Sequence, residues 1–438
     1  MHALARALLL LGLMLFGCTL PQPLSGQQLR GLHPRCSVHE VSRRELVVND
    51  SLKFYVEPVA IAGSGADVLL AGTPNHLWRQ PREGRARRVA TDSLFGVVIS
   101  EDGTARTIQS PIPGKLLGSI RALGRGDGTW DVVFAELFPT GTFPPPDSVA
   151  RLWYGVLEGN TWTSVEQLPI APGIRLHSLH ASPLVRSGDT LALALAAVTP
   201  GLYRDVAIFE RRGGRWYHDV VPTRNSGYPV VAYSDSLGLL LAVVRADSRW
   251  NNPDSARGGF DQNSLFLYAR DPSWRILQRI AHGVVEPVNH PLMVRSTGNV
   301  VLGWIAETRG GAEARAVLDA LSGSNVVVVL DPSFAGSAPA TSILLPGGSH
   351  LWMTRHTPEN GSRAQLRFVQ LSAHGASLVG LLESPYPGGF GAASAGGSDV
   401  LLAGAIEEFA DEDRRVFSLV VSLVLRLRVL CHAGGRPH

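Results

Sequence analysis

The sequence is poor in lysine, in net charge and in long apolar runs. Only Lys53 and Lys115 are lysines, and 40 basic residues nearly balance 37 acidic ones, for a formal net charge of +3. So small an excess gives no argument for nucleic acid as a partner. The apolar run 416–430 is shorter than the roughly 20 residues of a membrane helix. Arg426 and Arg428 interrupt it, so it predicts a closing β-strand.

Several families of catalytic and metal-binding motif are also missing. The 14 histidines contain no HExxH pair, and no GxSxG, Walker or dinucleotide motif occurs. No CxxC or Cys/His spacing suits zinc. We therefore expect no metal and no cofactor, and favour a protein that is not an enzyme.

One polar loop is a possible ligand or calcium site. It contains Trp250, Asn251, Asn252 and Asp254, which could hold calcium or cap a ligand, although ordinary loop polarity explains them equally well.

Residues 1–18 are predicted to be a targeting segment. Arg6 supplies a weakly positive start, and 8–16 form an apolar core too short to span a bilayer. Leu15-Phe16-Gly17-Cys18 resembles the bacterial lipobox, which implies lipidation of Cys18 and an N-terminal membrane anchor. Phe16 is an unusual occupant, so ordinary signal-peptide cleavage and free secretion remain the alternative. Residues 19–35 are predicted to be a polar tether, and the location is a bacterial cell envelope, periplasm-facing or at the surface, or the medium.

A four-strand pattern recurs along almost the whole remaining chain. Apolar runs of strand length alternate with turns rich in the 47 glycines and 29 prolines. The second strand of each copy begins near Val68, Trp130, Thr190, Leu239, Val300, His350 and Val400. Steps of about 50–60 residues with four strands each predict an all-β fold, a β-propeller of four-stranded blades. Seven copies favour seven blades, with six as the fallback if the incomplete sixth copy merges with a neighbour.

The two ends of the repeat region are expected to meet. The last copy lacks a separate fourth strand, which residues 45–48 could supply by pairing with the C-terminal strand and removing an exposed edge. Such closure brings Cys36 near Cys431, and in an oxidising compartment a disulfide between them is predicted. Two unpaired cysteines are the alternative. The propeller domain is thus predicted to span 36–431, followed by a disordered tail at 432–438.

One face of the predicted propeller carries the long loops. Residues 139–150, 247–263 and 309–324 are expected to join second to third strands there, with a short helix at 311–321. The links into the first strands lie on the same face, which favours binding. The candidate ligand-binding residues are Glu57, His180, Tyr228, Asn289, His290 and Trp250. Several of them stand before a proline, which is tolerated at strand starts, so a structural role is the alternative.

Three hairpins between third and fourth strands share a polar turn followed by tryptophan. They are Glu158-Gly-Asn-Thr-Trp162, Arg212-Gly-Gly-Arg-Trp216 and Asp271-Pro-Ser-Trp274. Ser100-Glu-Asp-Gly-Thr104 stands at the same place without tryptophan. This pattern resembles, in degenerate form, the Asp-box hairpin of the sialidase-like propellers. The resemblance implies that each tryptophan wedges between blades; stacking on carbohydrate is the alternative.

The resemblance does not extend to the catalytic residues of active sialidases. Those enzymes use an arginine cluster, a Tyr/Glu nucleophile pair and an acidic proton donor. Their Arg-Ile-Pro is absent near the first blade, where SPIPG occupies 110–114. Arg186 and Arg295 are expected at solvated turns. We therefore predict a binding or scaffolding module for a glycan, peptide or protein, with a glycoside hydrolase or lyase as the alternative.

Overall fold

A computed structural model describes most of residues 36–431. Gaps of five residues or more lie at 54–59, 73–77, 80–86, 89–93, 139–148, 247–262, 283–291, 332–340, 345–349 and 357–363, and shorter gaps also occur. Residues 1–35 and 432–438 lie outside the described chain. Every regular element within the described ranges is a β-strand, which confirms the all-β prediction.

The first half of the chain forms three sheets after an N-terminal strand. The N-terminal strands are β1 (Cys36–Glu45), β2 (Val47–Asn49) and β3 (Leu52–Lys53). The first sheet holds β4 (Ala60–Ser64), β5 (Asp67–Ala71), β8 (Leu94–Ile99) and β9 (Ala105–Gln109), with the small pair β6 (Trp78–Arg79) and β7 (Arg87–Arg88) inserted. The second holds β10 (Leu117–Gly124), β11 (Thr129–Leu137), β12 (Val149–Glu158) and β13 (Thr161–Gln167). The third holds β14 (Arg175–Ala181), β15 (Val185–Ser187), β16 (Thr190–Val198), β17 (Arg204–Arg212) and β18 (Arg215–Val221).

Four more sheets follow in the second half. The fourth holds β19 (Ser226–Ser234), β20 (Gly238–Ala246), β21 (Asn263–Arg270) and β22 (Trp274–His282). The fifth holds β23 (Leu292–Ser296), β24 (Asn299–Thr308), β25 (Gly311–Val317) and β26 (Val327–Asp331). The sixth holds β27 (Thr341–Leu344), β28 (His350–His356), β29 (Gln365–Ser372) and β30 (Gly375–Glu383). The seventh holds β31 (Phe390–Ser394), β32 (Asp399–Glu412) and β33 (Arg415–Cys431), with β1 as its outer strand.

The second strand of a sheet is buried on both sides, whereas the fourth is half exposed. In β16, the run from Leu191 to Ala197 is buried without interruption. In β18 of the same sheet, exposed and partly buried residues alternate along the strand. A run that is apolar on both faces must be covered on both sides. Consecutive sheets therefore stack face to face. Their first strands lie innermost and contact one another from the first sheet to the fifth, from the sixth to the seventh and from the seventh to the first.

Six core clusters lie between neighbouring sheets and give a propeller-like arrangement. They join the first sheet to the second, the second to the third, the third to the fourth, the fourth to the fifth, the sixth to the seventh and the seventh to the first. Between the fifth and sixth sheets, the ring of buried Trp352 lies against Gly303, where a Cβ would collide with it. Because the described residues show this last interface only in part, the blade count of seven stays a prediction.

The chain closes on itself through β1 and β33. These strands pair antiparallel with Cys36 opposite Cys431, so the predicted meeting of the two ends is confirmed. The closing strand is 36–45 and not 45–48, because β2 pairs with β3 instead. Its sequence is polar, which an outer strand with one solvent-facing side permits. Arg44 Nη1 of β1 also donates to Gly103 O of the first sheet at 2.8 Å.

Two expectations about the fifth and sixth copies are wrong. Residues 311–317 form strand β25 and not a helix, because they pair with β24 on one side and β26 on the other. The connection from β24 to β25 is therefore only residues 309–310, and the long loop predicted at 309–324 does not exist there. Moreover, the sixth copy, which the sequence indicated to be incomplete, has a first strand, β27, paired with β28.

The Asp-box-like hairpins and their tryptophans have structural roles. In the first sheet, Asp102 accepts hydrogen bonds from Thr104 N and Thr104 Oγ1, both at 2.8 Å. These bonds lower the pKa of Asp102 below its usual value. Trp162 packs edge-on against Phe95 and donates to Gln109 O of the preceding sheet at 2.9 Å. Trp274 donates to Asp219 of the preceding sheet at 2.8 Å. These two tryptophans therefore bind neighbouring sheets together.

Buried Asp131 joins the second sheet to the third on the face of the short hairpins. It accepts hydrogen bonds from the Tyr154 hydroxyl at 2.6 Å and from Arg125 Nη2 at 2.7 Å, and it pairs with Arg186 of β15. Arg186 is exposed beside a turn, as predicted, but it also pairs with Asp131, which the sequence did not indicate. Arg125-Gly-Asp127 is likewise a structural turn, in which Gly126 N donates to Ser64 Oγ at 2.9 Å.

Replacing this buried carboxylate should destabilise the protein strongly. Asp131→Asn leaves Arg125 and Arg186 without their counterion, and breaking a buried pair costs about 3 kcal/mol or more. We expect urea denaturation to show that loss in the free energy of unfolding. The matched control is Asp67→Asn, which removes the partner of Arg106 in a more exposed pair and should cost about 1 kcal/mol or less. Equal losses for the two variants would contradict the assigned role of Asp131.

Candidate functional site

The two faces of the propeller differ in their connections. We call the mouth face the one that carries the links into first strands and the connections from second to third strands. The opposite face, the hairpin face, carries hairpins that are short except for the connection 318–326 between β25 and β26. Two long connections predicted there, 139–150 and 247–263, lie almost wholly outside the described residues. The β6–β7 pair belongs to a further connection on this face, between β5 and β8. The mouth face is thus where the repeat varies most.

Three consecutive first strands carry β-bulges near their mouth-face ends. The pairing with the second strand shifts between Gly118 and Arg121 in β10, between Leu176 and Ala181 in β14, and between Gly227 and Val230 in β19. The other four first strands pair regularly over the residues described. Bulges redirect side chains and are common next to functional sites. The inner wall of the second, third and fourth sheets is therefore irregular on the mouth face.

Arg121 follows the first of these bulges and bridges two sheets. Its Nε donates to Ser182 O of the third sheet at 3.1 Å, and its Nη1 donates to Ile120 O at 2.9 Å. Desolvation lowers the pKa of Arg121 to about 10, which still leaves the side chain positively charged at neutral pH. Ser182 is fully buried, and its hydroxyl accepts from Ala194 N at 2.8 Å. A partly desolvated cation is thus held at the inner wall.

Tyr228 lies in the third bulge and has a strained backbone. Its φ is 52°, the only positive φ of a residue other than glycine among those described. Such a conformation is uncommon for a bulky side chain and costs of order 1–3 kcal/mol. The ring is half-buried and packs against the core between the fourth and fifth sheets. Because backbone strain of this kind often occurs at functional sites, Tyr228 is a candidate functional residue.

A cavity of about 490 Å³ opens on the mouth face beside the second sheet. Its lining residues are Gly114, Lys115, Glu136, Leu137, Phe138, Ala150 and Arg151. Glu136 and Arg151 are opposite each other in the β11–β12 pairing, which then shifts by one residue and leaves Ala150 unpaired. Lys115 comes from the link into β10. Three chain segments thus build this cavity.

Glu136 is the centre of the polar contacts around the cavity. Its carboxylate is 3.2 Å from Lys115 Nζ and 3.3 Å from Arg151 Nη1. The Trp153 indole nitrogen donates to the same carboxylate at 3.4 Å. Both carboxylate oxygens therefore have partners, and the two cations partly face solvent. The arrangement presents positive charge to a ligand and is suited to binding.

The predicted ligand-binding residues are only partly within the described chain. Tyr228 lies within the bulged segment of β19 and His180 within that of β14; their role in binding stays a prediction. Glu57, Asn289, His290 and Trp250 lie outside the described residues, as does Cys18.

Sequence reasoning missed Arg121 and the cavity trio of Lys115, Glu136 and Arg151. The scarcity of lysine did not by itself indicate a site at Lys115. No local pattern indicated that Glu136 and Arg151 would pair, because a long connection separates them in sequence.

Two further observations concern metal binding and membrane-spanning helices. Among the described residues, no three side chains of the His, Cys, Asp and Glu types are grouped so as to hold a metal ion. Over the same ranges, no helix has the length and hydropathy of a membrane span.

Comparison with known proteins supports the fold. No protein-family model matches the chain, and no curated protein matches its sequence. Among solved structures, BP39L lectin from Burkholderia pseudomallei has a TM-score of 0.50 at 14% identity, over 87% of this chain and 98% of that one. Polysaccharide lyase Uly1 has a TM-score of 0.48 at 12% identity, over 88% and 94%. A Trypanosoma rangeli sialidase has a TM-score of 0.43 at 10% identity, over 90% of this chain and 60% of that one. The similarity to the lectin, at a TM-score of 0.50, supports the propeller fold.

The strain at Tyr228 predicts an unusual order of variant stabilities. Tyr228→Asn should be more stable than Tyr228→Val by about 1 kcal/mol, because asparagine tolerates a positive φ and a β-branched residue does not. Packing alone would favour valine at this half-buried position. Urea denaturation of both variants measures the difference.

The matched control for this pair lies in the same strand. Ala232 is buried, and its φ is not among the positive values of the described residues. Of the variants Ala232→Asn and Ala232→Val, valine should therefore be the more stable, because a buried amide without partners is costly. If valine were also the more stable residue at position 228, backbone strain there would be contradicted.

Proposed function

We propose that the protein is an exported, lipid-anchored binding module that takes a glycan, peptide or protein on its mouth face. The observation that carries the proposal is the run of three bulged first strands, which places Arg121 and strained Tyr228 at the inner wall. Regular pairing would serve a purely structural ring equally well. Among the first strands, over the residues described, only those of the second, third and fourth sheets carry bulges, near the mouth face. This restricted position favours a ligand site there.

The distribution of charged contacts supports this choice of face. On the hairpin face, Asp131 and Glu210 are buried and bind arginines of the next sheet, among them Arg186 and Arg270. Those carboxylates are used in joining sheets. On the mouth face, Lys115 and Arg151 stand at an open cavity with half of each side chain exposed. Of these charged groups, those of the mouth face line a cavity that a ligand could enter.

The alternative function is a glycoside hydrolase or lyase. The fold permits it, since similar structures include enzymes and a lectin and fold does not determine function. A glycosidase needs two carboxyl groups about 5–10 Å apart, one of which acts as an acid. At the described cavity only Glu136 is acidic, and its two oxygens are occupied by Lys115, Arg151 and Trp153. This favours binding without hydrolysis.

A glycan and peptide array combined with chromogenic glycosides tests the proposed function. We expect the folded protein to bind at least one array ligand and to hydrolyse none of the glycosides, because the cavity carries a single, ion-paired carboxylate. Heat-denatured protein is the control for non-specific adhesion. Hydrolysis of any glycoside would support the alternative, and absence of binding to every ligand would contradict the proposal.

Export and anchoring predict a specific covalent form. In a bacterial host, the mature chain should begin at a lipidated Cys18. It should also carry a Cys36–Cys431 disulfide, because the two residues are opposite each other in the pairing of β1 with β33. Such pairs have Cα atoms about 4.5–5.5 Å apart, a distance that a disulfide can span. Intact mass before and after reduction measures both features. Cys18→Ala should move the protein from the membrane fraction to the soluble one. An unlipidated wild-type chain, or one with two thiols, would contradict the corresponding part.

A further inference from the structure

The mouth-face cavity of the second sheet has an excess of positive charge. The Lys115 and Arg151 side chains are each 51% exposed, whereas that of Glu136 is 8% exposed. One buried negative charge therefore stands behind two exposed positive ones. A ligand entering the cavity meets the two cations first.

Glu136 holds the two cations at the same opening. Lys115 comes from the link before β10 and Arg151 from β12, so without a common partner these long side chains would be independent. Contacts of 3.2 and 3.3 Å to the two oxygens of one carboxylate fix both heads at the cavity. The indole of Trp153, 3.4 Å from the carboxylate, adds a third constraint. This pre-organisation reduces the entropy lost when a ligand binds.

The rest of the cavity wall is small or apolar. Leu137 and Phe138 are half-buried and leave apolar surface facing the space, while Gly114 and Ala150 take up little room. The volume of about 490 Å³ falls within the range of roughly 300–1,000 Å³ typical of small-ligand sites. An apolar wall beside paired cations suits a sugar ring that bears one anionic group. The ring's C–H face would contact Leu137 and Phe138.

We propose that this cavity binds an anionic glycan, one whose sugar carries a carboxylate or a sulfate ester, with Lys115 and Arg151 holding the anionic group. The inference rests on the proposed binding function and specifies the ligand. One such group carries a single negative charge, which matches the net single positive charge of the trio. The planar guanidinium of Arg151 and the compact ammonium group of Lys115 can both donate hydrogen bonds to the oxygens of a carboxylate or sulfate.

The test is calorimetric titration of the full chain with three oligosaccharides of equal length: neutral, carboxylated and sulfated. At least one of the charged ligands should bind at least tenfold more tightly than the neutral one, and the comparison of the two charged ligands identifies the anion. Lys115→Gln and Arg151→Gln should each weaken that binding by about tenfold, since a charged hydrogen bond contributes about 1.5 kcal/mol or more. Raising the salt concentration should weaken binding to wild type more than to either variant.

The matched control is Arg428→Gln on the hairpin face. Arg428 is also 51% exposed and ion-paired with a largely buried carboxylate, Asp399, at 2.7 Å, yet it lies far from the mouth-face cavity in the seventh sheet. This variant should bind like wild type, and thermal midpoints confirm folding of all variants. If neutral glycans or peptides bind without loss in the Lys115 and Arg151 variants, the anionic site is refuted while the proposed function stands. If no ligand binds at all, both are refuted.

Discussion

The need to cover both faces of every sheet governs this structure. Central strands such as β16 are buried on both sides from Leu191 to Ala197, so a sheet with one bare face would expose a large apolar surface. Stacking in sequence leaves two such faces, one at each end of the row. The contact between the seventh and first sheets removes both. The pairing of β1 with β33 fixes that arrangement, because the first described strand becomes the outer strand of the last sheet.

The sheets are joined by apolar clusters supplemented with buried ion pairs on one face. Asp131 binds arginines from its own sheet and from the third sheet, and Glu210 repeats the arrangement one interface later with Arg270 and the Tyr233 hydroxyl. Burial, followed by the nearby charge of Glu210, raises the pKa of Tyr233. Removing one member of such a set leaves a buried charge without compensation. These contacts therefore make the hairpin face rigid.

A rigid hairpin face allows the mouth face to depart from regular geometry. The bulges in β10, β14 and β19 and the positive φ of Tyr228 are tolerated because the second and third strands behind them stay paired, with a single shift at the mouth-face end of β11 and β12. The cavity around Glu136 is a further departure from regular geometry on this face, because the β11–β12 pairing shifts beside Glu136, at the mouth-face end of both strands. Binding residues on this face can vary without disturbing the contacts that hold the sheets together.

The sequence by itself determined that the fold is all-β and in what order most of its strands follow one another. Apolar runs separated by glycine-rich and polar turns sufficed for the repeat, and the tryptophans after such turns indicated wedges that the structure shows at Trp162 and Trp274. These signals are local, because a strand and its turn lie within a few residues of one another. Only the tertiary structure decided that residues 311–317 form a strand, since pairing with β24 and β26 outweighs their helical spacing. It alone brought Arg186 to Asp131, β1 to β33, and Lys115 to Glu136, because contacts between segments distant in the chain leave no local pattern to detect.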